Sequence, residues 1–362
     1  MTGKPVQGEK KVFMSGNETV AWAAAAAGAE VMFGYPITPQ NEIMHYWAKL
    51  APQYDRKFLQ TEDELSAGFC TIGAVLAGKK AFSATAGPGT ILFQEPVSMA
   101  EMMRLPVVVV VQQRGGPSTA TVIYSQQEVN MVTHGGNGEG WRVVYSTSSH
   151  QELYDYTLRA FNTAWKYRFP VFVLGDGYQA KMMESCVIYD PAARGVELER
   201  AGATVGKPGL PGIDRPPAHL RNAFSVEEEL YELVLTAQDD FAALAQEVVQ
   251  HEAVDTEDAE IVLISHGVVS RAALAAARQL RTQGVRAGCF RPVTLRPFPE
   301  EALRATAAKC GNLLVVESAF GQLARLVKEA LLNVPVQRLG TFFRPGLGIT
   351  AEELVEDIRR NT

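Results

Sequence analysis

Three side chains in the first third of the chain have the types and settings to do chemistry: a hydroxyl, a carboxyl and a guanidinium. Thr38 lies in Gly34-Tyr35-Pro36-Ile37-Thr38-Pro39, where two prolines surround one hydroxyl directly after a short apolar strand. Proline fixes its own φ and biases the residue before it toward extended geometry, so Tyr35 and Thr38 are held out of helix while a helix can start from Gln40. Glu64 follows in Thr61-Glu62-Asp63-Glu64 and opens a helix rich in small residues that ends near Ala77-Gly78. Thr85-Ala86-Gly87-Pro88-Gly89-Thr90 comes after a strand over 80–84, and its two glycines flanking a proline leave backbone that a flat ligand can approach. Arg114 heads Arg114-Gly115-Gly116-Pro117. Each also has an ordinary reading: a turn threonine, a first-turn acid that a helix dipole stabilises by under ~1 kcal/mol, turn glycines, a surface arginine.

The elements around these residues make strand ends of all four motifs. Leu105-Pro106-Val107-Val108-Val109-Val110-Val111-Gln112 is an unbroken β-branched run of the kind found in strands covered on both faces. Strand and helix alternate from about Lys11 to Asp176, which predicts an α/β fold with a mainly parallel sheet and helices on both sides. Ligands in such sheets bind in the crevice at the carboxyl ends of the strands, where these motifs fall. Prolines and glycines then crowd 190–221 without apolar periodicity, marking a linker. Ser225-Val226-Glu227-Glu228 offers a capping box for a long helix to about His251 that bridges to a second unit. There Ile261-Val262-Leu263-Ile264-Ser265-His266-Gly267, further strands over 285–290, 313–317 and 334–339, and helices over 269–283, 300–309, 321–332 and 350–360 predict a smaller α/β domain. The division expected is 11–189, a linker and bridging helix over 190–257, and 258–362.

Composition narrows the function. The 362 residues are 47% hydrophobic and 20% charged with a net charge of −6, which supports two sizeable cores and argues against a nucleic-acid surface. The amino-terminal lysines precede no apolar segment of signal or membrane length, so a cytoplasmic location is expected. Cys70, Cys186, Cys289 and Cys310 are scattered, so one chain offers no clustered thiolates for an iron–sulfur cluster. The histidines are dispersed without metal spacing; His134, before a glycine-rich loop, reads either as facing a ligand or as a hydrogen-bonded loop histidine.

Taken together these motifs resemble the 2-oxoacid:ferredoxin oxidoreductases, specifically the alpha subunit, which carries a pyrimidine-type thiamine diphosphate domain followed by a transketolase C-terminal-like domain. The resemblance runs through Tyr35-Pro36-Ile37-Thr38-Pro39, Glu64, the Gly87-Pro88-Gly89 loop, Arg114-Gly115-Gly116, His134-Gly135-Gly136-Asn137-Gly138-Glu139, the segment from Tyr167 to Gly177, and Phe290-Arg291-Pro292-Val293-Thr294-Leu295-Arg296-Pro297-Phe298-Pro299. One departure is Asn137-Gly138-Glu139, where the family often carries His-Gly-Asp; it bears on substrate preference more than on fold.

The resemblance implies oxidative decarboxylation of a 2-oxoacid to its acyl-coenzyme A. Thiamine diphosphate supplies the nucleophilic carbon, and the protein supplies orientation and electrostatics. Glu64 matches the family glutamate whose carboxyl bonds a pyrimidine ring nitrogen, and burial keeps such a carboxyl protonated enough to donate. Arg114 and Thr38 suit the substrate carboxylate, and Tyr35, Pro36, Gly87 and Gly89 fall to the cofactor. Gly175-Asp176-Gly177 looks like the start of a thiamine diphosphate magnesium motif, but the asparagine it needs is missing between Gly177 and Asn222. Asp176 is therefore read as a strand-end turn residue, with no metal on this chain. Half a cofactor site implies an obligate hetero-oligomer: a beta subunit holding the diphosphate and Mg2+, with gamma and ferredoxin-like delta subunits, and [4Fe-4S] clusters in the partners passing electrons to ferredoxin or another acceptor. Ile123 and Tyr124 after Arg114, with Trp141 in the next loop, tilt the expectation to branched-chain or aryl 2-oxoacids over 2-oxoglutarate and pyruvate. His266-Gly267 and Ser318-Ala319-Phe320-Gly321 read as turn residues or as contacts to coenzyme A or a neighbour. A thiamine diphosphate-dependent carboligase would share this domain without needing iron in its partners, and a non-catalytic scaffold would tolerate loss of Glu64.

Overall fold

The computed structural model describes residues 4–205 and 220–361, and its strands form three sheets. The strands are β1 (Glu9–Ser15), β2 (Val31–Gly34), β3 (Lys57–Gln60), β4 (Ala81–Thr85), β5 (Val108–Gln113), β6 (Val143–Ser146), β7 (Val171–Asp176), β8 (Met183–Tyr189), β9 (His251–Val254), β10 (Ile261–Ile264), β11 (Ala287–Pro292), β12 (Thr294–Arg296), β13 (Asn312–Glu317) and β14 (Arg338–Phe343). The main sheet has the order β12-β6-β7-β5-β4-β2-β3 and is parallel except for β12. The second has the order β14-β13-β10-β11-β9, with β9 alone antiparallel.

Consecutive valines of β5 feed opposite cores. Val108 and Val110 join Trp47, Phe82 and Phe161 on one face, while Val109 and Val111 join Phe93, Val97 and Val129 on the other. In the neighbouring β7, Val171 and Val173 lie on the first face and Phe172 and Leu174 on the second. A strand alternates its side chains between faces, so an unbroken apolar run demands cover on both, as the sequence predicts. The second core continues without a break into Val262, Ile264, Leu313 and Val315 of the smaller sheet, so the two units share apolar packing. The opposite face of that sheet packs on the helices Val269–Thr282 and Ala351–Asn361.

Several expectations need correcting. The main sheet takes in β12, a strand from within 258–362, which pairs antiparallel with β6 through Thr294 and Tyr145. Conversely β9, from the expected bridging region, belongs to the smaller sheet. β8 pairs antiparallel with β1 in a separate two-stranded sheet that the alternation pattern does not reveal. The bridging helix is Glu227–Val248 and starts from Val226 without a side-chain cap, so Ser225 does not form the capping box. Its buried residues are Ala237, Phe241, Leu244 and Val248, whereas Leu233 and Tyr231 are exposed. Of the proline- and glycine-crowded linker, Pro191–Arg194 forms a short 3-10 turn ending at Gly195, and 206–219 lie outside the described residues.

Candidate functional site

At the carboxyl edge of β2, β4 and β5 the predicted residues fall into two contacting groups. Asp63 caps the helix Glu64–Leu76 by accepting the Ser66 N–H at 2.7 Å, which fixes Glu64 as its first residue. Glu64 is 5% exposed, and burial pushes its carboxyl above the ordinary range, with nearby Asp63 pushing the same way. Gly89 lies against it, in the short helix Pro88–Leu92 that follows β4. A Cβ built on Gly89 would stand 2.5 Å from Glu64 Oε1 and 2.2 Å from Thr85 Oγ1. The Thr85 hydroxyl is buried and has no hydrogen-bond partner among the described residues.

The second group centres on Arg114, which is 4% exposed. Its Nη1 donates to the Thr38 carbonyl at 2.7 Å and its Nη2 to the Thr119 carbonyl, while its buried Nε has no partner among the described residues. Thr38 thus meets Arg114 through its backbone; the residue itself is exposed. Gly87, at φ +55, lets the Arg114 side chain pass, since a Cβ there would come within 2.8 Å of Arg114 Cδ. Tyr35 accepts at its carbonyl from Gln40 Nε2 at 2.9 Å and Pro36 is exposed, and among the described residues neither hydrogen-bonds to Glu64 or Arg114.

What joins the motifs is a residue that sequence reasoning missed. Glu128 is buried and its carboxylate accepts the N–H of Gly87 at 2.8 Å, the N–H of Arg114 at 2.8 Å and the hydroxyl of Thr90. Desolvation raises its pKa, and those three donors and the Arg114 charge oppose the rise. Its only signal in the sequence is an acid in an otherwise uncharged stretch between Arg114 and His134.

Other expected candidates lie elsewhere. Asp176 ends β7 and accepts the Gln179 N–H at 3.0 Å, a strand-end turn role. His134 bonds Thr133 Oγ1 and Arg296 Nη1, each at 2.9 Å, and desolvation with the Arg296 charge holds its pKa low. Trp141 is buried and donates to Gln238 of the bridging helix at 3.2 Å, whereas Ile123 and Tyr124 are exposed. Behind it, Arg142 is wholly buried, pairs with Glu101, and holds the glycine-rich loop by donating to the Gly135 carbonyl at 2.8 Å.

The site fits the aminopyrimidine end of thiamine diphosphate. A carboxyl whose hold on its proton burial strengthens suits donation to a ring nitrogen, Gly89 leaves open the space beside it, and Thr85 Oγ1 has no partner among the described residues. The fold and site define a thiamine diphosphate enzyme of the parallel-sheet type. Residues 22–252 match the family described as pyruvate flavodoxin/ferredoxin oxidoreductase, thiamine diphosphate-binding, and residues 259–348 match pyruvate:ferredoxin oxidoreductase core domain II. The chain belongs to the 2-oxoacid:ferredoxin oxidoreductases as an alpha subunit. It is 36% identical to 2-oxoglutarate synthase subunit KorA of Methanothermobacter thermautotrophicus, over 87% of this chain and 89% of that one. It is 35% identical to ketoisovalerate oxidoreductase subunit VorB of Methanothermobacter marburgensis, over 88% and 89%. Among solved structures, 2-oxoglutarate:ferredoxin oxidoreductase from Magnetococcus marinus, with 2-oxoglutarate, coenzyme A and succinyl-CoA bound, superposes with a TM-score of 0.84 at 26% identity, over 97% of this chain and 65% of that one. A split-gene transketolase tetramer shares the fold, with a TM-score of 0.57 at 14% identity. Among the described residues no helix is long and apolar enough to cross a membrane.

Proposed function

We propose that this subunit takes part in the thiamine diphosphate-dependent oxidation of 2-oxoglutarate to its acyl-coenzyme A, with electrons leaving through iron–sulfur partner subunits. The observation that carries the reading is a buried Glu64, its carboxyl pushed up by burial, and a buried Arg114 at the same sheet edge. When bound, thiamine diphosphate supplies the nucleophilic carbon and the electron sink for decarboxylation. Glu64 holds a proton at its carboxyl and donates it as a hydrogen bond to the cofactor's pyrimidine ring. Arg114 offers its unpartnered Nε–H to the substrate carboxylate, with the Thr38 hydroxyl as a further donor. Gly87 and Gly89 keep Cβ atoms out of the space beside both.

Substrate choice follows the relatives: KorA proteins and the Magnetococcus enzyme are named for 2-oxoglutarate. The branched-chain or aryl preference expected from Ile123, Tyr124 and Trp141 loses one of its two aromatics, because Trp141 is internal while Ile123 and Tyr124 are exposed. A partner that completes the site is supported by exposed apolar side chains on the helices bearing the site: Phe69 beyond Glu64, and Ile91 and Leu92 beyond Gly89. The test is to purify the native complex and follow viologen reduction with a panel of 2-oxoacids, with and without coenzyme A. Coenzyme A-dependent reduction with 2-oxoglutarate is expected. Reduction with 2-oxoisovalerate but not 2-oxoglutarate would overturn the substrate, and an iron-free complex that joins carbon fragments would overturn the reaction class.

A further inference from the structure

Glu128 grips three site residues, and its segment is tied locally by the Gly116 N–H donating to Gln127 Oε1 at 3.0 Å and the Val132 N–H donating to the Glu128 carbonyl at 3.0 Å. The segment Ser125–Asn130 is also held by the second unit. Gln322 Nε2 donates to the Gln127 carbonyl at 2.7 Å, and Gln322 Oε1 accepts the Asn130 N–H at 3.0 Å. Ser318 and Gln126 exchange two bonds, Gln126 N–H to the Ser318 carbonyl at 2.8 Å and Ser318 N–H to Gln126 Oε1 at 3.0 Å. Gln322 is itself fixed, because the buried Glu317 carboxylate accepts the N–H groups of Gln322, Leu323 and Ala324 at 2.9, 2.9 and 3.1 Å. Glu317 ends β13 and Gln322 opens the helix Gln322–Ala330, so both are anchored in the smaller sheet's core.

We infer that Gln322 is a positioning residue for substrate binding: it clamps the backbone on both sides of Glu128, and Glu128 in turn sets Arg114 and the Gly87 loop. The inference rests on the reading of Arg114 as the group that binds the substrate carboxylate. A bound carboxylate feels sub-ångström changes in a guanidinium's place, so loosening the clamp weakens substrate capture without touching the Glu64 side. This assigns the second unit a part in specificity that neither Gln322 nor Glu128 suggests from its place in the sequence.

The experiment compares wild type, Gln322→Met, Gln322→Glu, Arg114→Ala and the Gln322→Met/Arg114→Ala double variant in the native complex, reading KM for 2-oxoglutarate, kcat, thiamine diphosphate affinity and melting temperature. Gln322→Met, which loses both hydrogen bonds, is expected to raise KM roughly 10-fold. Its kcat, cofactor affinity and melting temperature stay near wild type. Gln322→Glu keeps the acceptor for Asn130 but sets a carboxylate oxygen against the Gln127 carbonyl, and raises KM at least as much as Gln322→Met. In the Arg114→Ala background Gln322→Met adds nothing further, because the group it positions is gone. Should Arg114→Ala raise KM while Gln322→Met does not, or should Gln322→Met raise it by the same factor in both backgrounds, the positioning role is wrong and the Arg114 reading survives. An unchanged KM in Arg114→Ala overturns that reading and this inference with it.

Discussion

Replacing Gly89 with alanine gives the sharpest test of how the site is packed. Gly89 sits in a short helix with no positive φ, so its backbone accepts alanine and the only obstacle is space. The added methyl would lie 2.2 Å from Thr85 Oγ1, 2.5 Å from Glu64 Oε1 and 2.8 Å from Glu64 Cδ, all closer than real Cβ atoms come. Either the Thr85 hydroxyl and Glu64 carboxyl retreat or the helix backs away. Overpacking of this kind costs about 1–3 kcal/mol, and alanine's better helix propensity returns up to about 1 kcal/mol, so the net loss of stability is modest. A carboxyl displaced by up to about 1 Å loses far more catalytically, on the order of 100-fold in kcat. Thr85→Ala separates the two effects, because the Thr85 hydroxyl has no partner to lose. In Thr85→Ala/Gly89→Ala the melting temperature should recover while kcat stays low, since the contact with Glu64 remains. Viologen-coupled kinetics and thermal melts on the native complex supply both readouts. A Gly89→Ala enzyme with kcat within about twofold of wild type would refute the placement of Glu64 against this glycine.

Further expectations concern the surroundings of the site. Arg142 and Glu101 form a fully enclosed ion pair, so Arg142→Met strands a buried carboxylate and should lower stability by about 3–5 kcal/mol in urea melts, loosening the Gly135 loop. Burial raises the Asp176 carboxyl from 3.8 to about 6. The folded state therefore holds its proton more tightly than the unfolded chain, so the protein loses stability as pH rises from about 4 to 6 and stays at the lower level above that. Asp176→Asn, which keeps an acceptor for the Gln179 N–H, should flatten that slope and gain at most about 3 kcal/mol above pH 6, read from melts across pH.

The local parts of this architecture are legible because their causes are local. A proline-bracketed threonine, the β-branched run of β5, and an acid at the start of a small-residue helix each declare their conformation within a few residues. Glu128 is different: its partners Gly87 and Thr90 are about forty residues upstream, and no periodicity or spacing marks a carboxylate whose role is to collect donors from separate loops. The placement of β12 is hidden for a similar reason. Thr294–Arg296 follows β11 immediately, yet it leaves that strand's sheet to pair with β6, which tertiary packing and not local propensity decides. Ser225 fails as a cap because Val226 takes that position, and a capping box can be recognised only when the helix start is already known. Trp141 shows the limit for specificity, since a loop aromatic reads as a substrate contact until the bridging helix is seen to cover it.

The central claim is that Glu64 of this chain handles the proton that readies the cofactor. The direct measurement is the rate of hydrogen–deuterium exchange at the thiazolium C2 of bound thiamine diphosphate, by rapid quench and NMR, in the complex carrying wild type or Glu64→Gln. Exchange slowed about 100- to 10,000-fold, with cofactor content and assembly intact, is the result expected. Exchange at the wild-type rate in Glu64→Gln would contradict the account.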